Sequence, residues 1–223
     1  GNPPWTRLRA KEDEAEEKKR TKSIIDAVNR EFTKIGRRVL EGRGLGDLVK
    51  NYENPDYNPD IPFLWRATEW AKPDGVIALA MHARLFGRTT GPGIDVWRAF
   101  LKSVEVTGLV NGADLRKTAV WEGMDMPFCV FFARNKRPSP DQRFFYVTPS
   151  YEPGLNGEGR FRIDYEAASP VSTARLERQP WLLKTLSLGT WLDVELMERL
   201  LSPSHKSLAD FWDAWDKPGD KTG

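Results

Sequence analysis

A chain of 223 residues with 39% apolar side chains and nine tryptophans can bury the core of one large domain, or of a domain with an appendage. It holds no run of about 18 uncharged apolar residues, which excludes a membrane-spanning helix, and its start lacks the basic-then-apolar pattern of a secretory leader. A single cysteine, Cys129, excludes an internal disulfide framework and points to a reducing, cytoplasmic setting; with only His82 and His205, no metal site is expected.

In chain order, the first feature is Gly1-Asn2-Pro3-Pro4-Trp5. Two prolines fix φ and stiffen the turn, so the Pro3 carbonyl is held in one direction. The Asn2 amide oxygen is a second acceptor close by, and Trp5 offers a flat apolar face. Two acceptors and a stacking surface suit chemistry on the exocyclic amine of an extruded nucleobase. Accepting both N–H hydrogens pulls that nitrogen towards tetrahedral geometry and localises its lone pair. The same letters also make an ordinary turn opener, with Asn as cap and Pro in the first helical turn.

Residues 6 to about 35 read as a long charged helix, with Ile24, Ile25, Val28, Phe32 and Ile35 at helical spacing. Glycines 36, 42, 44 and 46 are expected to end it in a basic loop. From Arg7 to Arg43 there are twelve Lys/Arg against eight Asp/Glu. Lys34, Arg37, Arg38 and Arg43 are candidate phosphate contacts, a solvated mixed-charge face being the alternative.

A short turn over 47–52 precedes Asn58-Pro59, read as a helix cap and first helical residue. Ile61, Phe63, Leu64, Ala67 and Trp70 form the expected buried side of that helix. After the turn at 72–75, the apolar run Val76–Met81 reads as a strand covered on both faces in a parallel sheet. A loop over Gly87–Gly93 leads to a helix from Ile94 to Lys102, then strands over 104–110, 127–133 and 143–148. Residues 111–126 are irregular. Two short helices, 181–188 and 191–201, and a polar tail close the chain.

Taken together these pieces resemble the amino-methyltransferases that modify adenine N6 in DNA. They are most similar to the gamma-class, type IIG-like enzymes of restriction–modification systems, in which the cofactor motif precedes the catalytic one. Gly1–Trp5 resembles the catalytic motif, Pro73–Leu79 a Pro-x-Gly turn and fifth strand, and 104–110 and 126–132 the last two strands. The likeness covers residues 1–135 well and 180–201 loosely. It implies an α/β fold, the C-terminal half of a Rossmann-like methyltransferase sheet that uses S-adenosylmethionine, with an inserted charged helix and a small C-terminal extension. The implied division is 1–137, the catalytic-motif half with a basic helical insertion over 6–43, and 138–223, leading towards a target-recognition region.

By the same resemblance, Asn2 and the Pro3 carbonyl accept from the adenine amine, Trp5 stacks on the base, and Trp121 closes the pocket. A buried structural role is the alternative for Trp121. Double-stranded DNA is the implied partner. The family's glycine-rich cofactor loop and its ribose-binding acid precede the catalytic motif, so cofactor-binding residues are not identifiable in this chain. The chain lacks an initiator Met and opens on a motif that belongs at the end of a buried strand, which reads as a piece of a longer protein, inactive alone. A further expectation is that the edge of Val76–Met81 is covered, by the missing half, another chain, the N-terminal segment or the long helix. The alternative function is a non-catalytic DNA-binding or assembly fragment of a defence protein.

The remaining candidates each have a plain reading. Arg84 and Arg88 are phosphate contacts or surface salt-bridge partners, His82 is structural or near the base, and Cys129 is a packed thiol. Asp56 and Asp60 fit turn and cap roles better than a metal, and His205 lies in a loop. Tyr52, Tyr57 and Trp65 read as core or rim.

Overall fold

The computed structural model describes residues 1–5, 8, 15–88, 91–165, 167–202, 204, 206, 208 and 211. His205 and Arg7 lie outside the described residues. The chain forms two compact units, Gly1–Lys184 and Thr185–Gly223, so the first runs well past the 137/138 division expected from sequence.

In the first unit, α1 (Ala15–Gly42) and the one-turn α2 (Gly46–Val49) precede α3 (Asp60–Trp70). Helix α1 passes straight through Gly36, where the sequence suggests a stop. The Tyr52 ring lies against that glycine so closely that an added Cβ would sit 2.2 Å from it. The residue is glycine for want of room, and the helix ends six residues later.

Strand β1 (Val76–His82) is followed by the single turn α4 (Arg84–Gly87), α5 (Pro92–Ser103) and β2 (Glu105–Asn111). Next come β3 (Phe128–Arg134), β4 (Arg143–Val147), the short α6 (Pro153–Gly157), β5 (Ala168–Ser172) and α7 (Thr173–Arg178). The five strands make one mixed sheet in the order β1-β3-β2-β4-β5. Strand β3 runs antiparallel to both β1 and β2, β4 is parallel to β2, and β5 is antiparallel to β4. Strands β1 and β2 therefore point the same way without touching.

The strand over 76–81 is not covered on both faces. Its burial alternates: Ile77, Leu79 and Met81 point into the core, while Val76 and Ala78 are exposed. Alternation is what an antiparallel pairing with one buried face produces. The core is aromatic. Phe131 of β3 meets Phe100 of α5 edge-on at 5.2 Å, and Phe100 meets Trp65 of α3 at 5.8 Å. Of the residues expected on the buried side of α3, Ile61 and Leu64 are buried, but Phe63 and Trp70 are exposed and Trp65 takes the core position.

Asn135, just after β3, closes the opposite end of β1. Its amide nitrogen donates to the Thr68 and Ala71 carbonyls at the end of α3, at 2.9 and 2.6 Å, and its side-chain oxygen accepts from Arg43. The second unit contains α9 (Trp191–Leu200), opened by a Thr190/Asp193 capping box; α8 (Leu182–Leu188) runs across the division. No helix among the described residues is long and apolar enough to cross a membrane.

Candidate active site at the tip of the first strand

The Gly1–Trp5 bend lies along the outer edge of β1. The Gly1 amino group donates to the Ala78 carbonyl at 2.8 Å, and the Ala80 amide donates to the Gly1 carbonyl at 3.0 Å. These two bonds are one rung of a parallel ladder centred on Leu79. The chain then turns over the carboxyl-terminal end of β1, where the Trp5 indole N–H donates to the Ala80 carbonyl at 3.1 Å. In open α/β sheets the carboxyl ends of strands are where ligands bind.

Within the bend, Asn2 is exposed and Pro3 buried. Trp5 is 6% exposed and packs with Leu115 and Phe128, flanked by Ala80, Val130 and Trp121. The Trp5 and Trp121 rings meet edge-to-face, with centroids 5.4 Å apart and planes at 75°. The structure brings together the two aromatics that the sequence nominates, but in this conformation they fill each other's space and leave no slot for a base between them.

Beneath the bend is a polar cluster that the sequence does not announce. One guanidinium nitrogen of Arg84 donates to the Trp5 carbonyl at 3.1 Å and to the Asn58 side-chain oxygen at 2.5 Å. Asn58 is therefore not the cap of α3. Pro59 occupies that position without a side-chain cap, and Asn58 is buried facing Arg84. Asp60, 1% exposed, lies beside them with one carboxylate oxygen unpartnered. Burial pushes its carboxyl up to about 6, against the opposing pull of Arg84.

His82 ends β1 and lies edge-on to Trp5 at 6.5 Å. Its Nδ1 accepts the Arg84 amide at 3.1 Å, which puts the proton of the neutral ring on Nε2. Burial, then the charge of Arg84, lowers its pKa to about 4, so it is neutral at pH 7. Cys129 is a buried thiol, as the sequence suggests, with its pKa raised by burial and then by Asp60.

The cations nominated for phosphate contact have partners within the chain. Lys34 pairs with Glu31 at 2.7 Å, and Arg37 donates to the Tyr52 carbonyl at 3.1 Å. Arg38 makes a two-pronged contact with Glu69 at 2.9 and 3.1 Å, which lowers the Glu69 pKa. Arg43 is the least available. It is half-buried, donates to the Ser103 carbonyl at 2.7 Å as well as to Asn135, and its pKa is lowered by burial and by Arg137. Arg88 lies across Gly93, where an added Cβ would meet its side chain.

On the far side of the bend is an open groove of about 410 Å³, bounded by Gly1, Asn2, Phe63, Trp70 and Val76. Trp70 is 63% and Val76 71% exposed along it. Gly1 covers the middle of the β1 edge, and the Val76 end is bare. Among the described residues, no group of His, Cys, Asp and Glu could hold a metal ion.

No family model matches the chain, and no curated protein does. Several solved restriction–modification proteins are similar to part of the chain. A structure of a type I restriction–modification system assembly is 14% identical over 60% of this chain and 32% of its own, with a TM-score of 0.45. The type I methyltransferase subunit from Streptococcus thermophilus is 14% identical over 58% of this chain and 30% of that one, with a TM-score of 0.44. A modification subunit of a putative type I restriction enzyme from Vibrio vulnificus YJ016 gives 13% identity, 78% and 33% coverage, and a TM-score of 0.44. The chain spans about a third of the length of each. Type I and type IIG proteins both give such a likeness, so it does not single out the gamma-class, type IIG-like group.

Proposed function

We propose that this chain is the catalytic-motif half of a DNA methyltransferase of a restriction–modification or phage-defence system, acting on adenine N6 in double-stranded DNA. The observation that carries the reading is the placement of the bend. Asn-Pro-Pro-Trp turns over the carboxyl end of β1, with Asn2 exposed and neither end of the bend free to swing. Asn2 and the Pro3 carbonyl accept the two amine hydrogens and so raise the nucleophilicity of the nitrogen. Trp5 supports the base once Trp121 has moved off it, and His82 stays neutral beside it. A cytoplasmic location belongs to the same proposal.

The methyl donor of this reading is S-adenosylmethionine. The residues present do not fit it: the groove beside Asn2 is apolar, with no acid to hold a ribose. The donor is held by residues outside this chain, which also supply an extended segment parallel to β1 over Val76–Ala78. What this chain contributes is the amine acceptors, the aromatic support and the strand edge.

A second reading, a non-catalytic DNA-binding or assembly fragment, is favoured by one observation: Trp5 is buried against Trp121. The deciding experiment is transfer of labelled methyl from S-adenosylmethionine to adenine-containing duplex DNA by the polypeptide that carries this chain with its upstream residues. Activity that falls by about 10²-fold or more in Asn2→Ala supports the first reading, on the scale of losing a key transition-state acceptor. Wild-type activity in Asn2→Ala removes the mechanism, and inactivity of the unaltered polypeptide favours the second reading.

A further inference from the structure

The bend has only a few soft torsions. Pro3 and Pro4 fix two φ angles, which leaves φ and ψ of Asn2, ψ of Pro3 and Pro4, and the torsions that join the bend to Gly1 and Trp5. The direction of the Pro3 carbonyl depends on those angles, so the two ends of the bend must be held for it to point one way. Gly1 is held by two main-chain bonds to β1. At the other end the Trp5 side chain is tied to Ala80, and the Trp5 carbonyl meets the guanidinium of Arg84.

We propose that Arg84, seated against Asn58, is a positioning residue that clamps the Trp5 carbonyl and thereby sets the direction of the Asn2 and Pro3 acceptors. This role rests on the functional reading above for its catalytic consequence, but the clamp itself is a property of this chain alone.

Three features show that the clamp is built rather than incidental. Asn58 is buried and is held in turn by Asn54, whose amide donates to the Asn58 carbonyl at 3.2 Å. Asn54 is fixed to α1 through Asn29 at 2.7 Å and Thr33 at 3.0 Å. The guanidinium thus rests on a chain of amides anchored in the longest helix. Arg84 is also the first residue of α4, two residues past the tip of β1, and its own amide is spent on His82. Its starting point is therefore set by the strand that Gly1 pairs with. Finally, Asp60 is buried alongside, and its carboxyl feels the charge of the guanidinium. The same contacts explain why a residue nominated for phosphate lies instead under the motif.

Two measurements test this. The first uses the chain as it stands: hydrogen exchange of the Trp5 indole N–H, assigned by its loss in Trp5→Phe. Arg84→Met is expected to speed this exchange about tenfold or more, while the Leu79 and Phe131 amides in the sheet keep their protection. Arg84→Lys, which keeps the charge on a shorter stem without the planar guanidinium, falls between. Unchanged indole protection in Arg84→Met overturns the clamp, whatever the methylation assay gives. Equal loss at the sheet amides also overturns it, because Arg84 would then be a general stability residue.

The second uses the methylating polypeptide. A misplacement of about 1 Å in a reacting group costs on the order of 10²-fold in rate, so Arg84→Met is expected to lower kcat by roughly 10- to 100-fold with KM for the donor unchanged. Added methylguanidinium is expected to restore part of kcat in Arg84→Ala. A raised KM at constant kcat overturns the positioning role. If the unaltered polypeptide transfers no methyl group at all, the functional reading fails, and the exchange measurement alone decides the clamp.

Discussion

The two ends of β1 are made differently. At the carboxyl end, around Ala80 and His82, every neighbour comes from this chain: Gly1 on the edge, Trp5 over the tip, Arg84 and Asn58 below. At the amino end Val76 stands bare beside Trp70, on a groove wide enough for an extended segment. Both ends carry apolar side chains, but only one has been given something to pack against. An exposed apolar strand edge is a surface that proteins rarely leave open. The covered end holds the candidate site, and the other end is an open strand edge.

This contrast can be broken most severely by Trp5→Ala. Removing a 6%-exposed indole should cost about 3–5 kcal/mol in denaturant unfolding, the usual range for a buried aromatic. A cost below about 1 kcal/mol would mean that the Trp5 cluster is not a true core. Next in size is Asp60→Asn. The Asp60 pKa is raised in the fold, from 3.8 to about 6. Its burial penalty is therefore absent below the unfolded pKa near 4 and grows as pH rises through 6. The substitution should stabilise the chain by about 1–3 kcal/mol at pH 8 and by nothing below pH 4, read from urea midpoints across pH. A uniform shift at all pH values would show that the fold does not raise the carboxyl's pKa.

Gly36→Ala is smaller but still visible. The added methyl meets the Tyr52 ring, and overpacking of that kind costs about 1–3 kcal/mol, outweighing the gain in helix propensity. Thermal unfolding of the variant gives the sign directly. The smallest effect is expected at the open end. Trp70→Ser should change the stability of this chain by less than about 0.5 kcal/mol, as exposed positions usually do. It should nonetheless weaken pairing with an added strand that covers Val76. A large stability loss from Trp70→Ser would mean that the groove is already closed.

The parts of this architecture that the sequence makes legible are those encoded locally. Strands β1, β2 and β3 and helix α5 are continuous or regularly spaced apolar segments, and they fall within a residue or two of expectation. Strand β5 is invisible beforehand because Ala168–Ser172 contains a proline and one large apolar residue, Val171; only β4 beside it makes it a strand. Gly36 and Asn58 mislead for the same reason. Their local signals, a helix stop and a cap, are real propensities overridden by distant partners, Tyr52 and Arg84.

The site divides along the same line. The acceptors of the bend and its proximity to β1 are legible because they sit in five consecutive residues. Arg43 is not, because a cation near glycines looks like a phosphate ligand until residues 103 and 135 arrive beside it. Arg84 could have been suspected only from its place two residues past a strand tip.

The sheet order also constrains how the chain is assembled. Strand β3, which lies between β1 and β2, is made last of the three, and nothing ties β1 to β2 until it slides between them. On the ribosome, two greasy segments must wait through more than twenty residues after β2 before residue 134 leaves the tunnel. A nascent chain cut anywhere before Phe128 should therefore expose β1 and β2 unpaired, and chaperone demand should drop once β3 emerges.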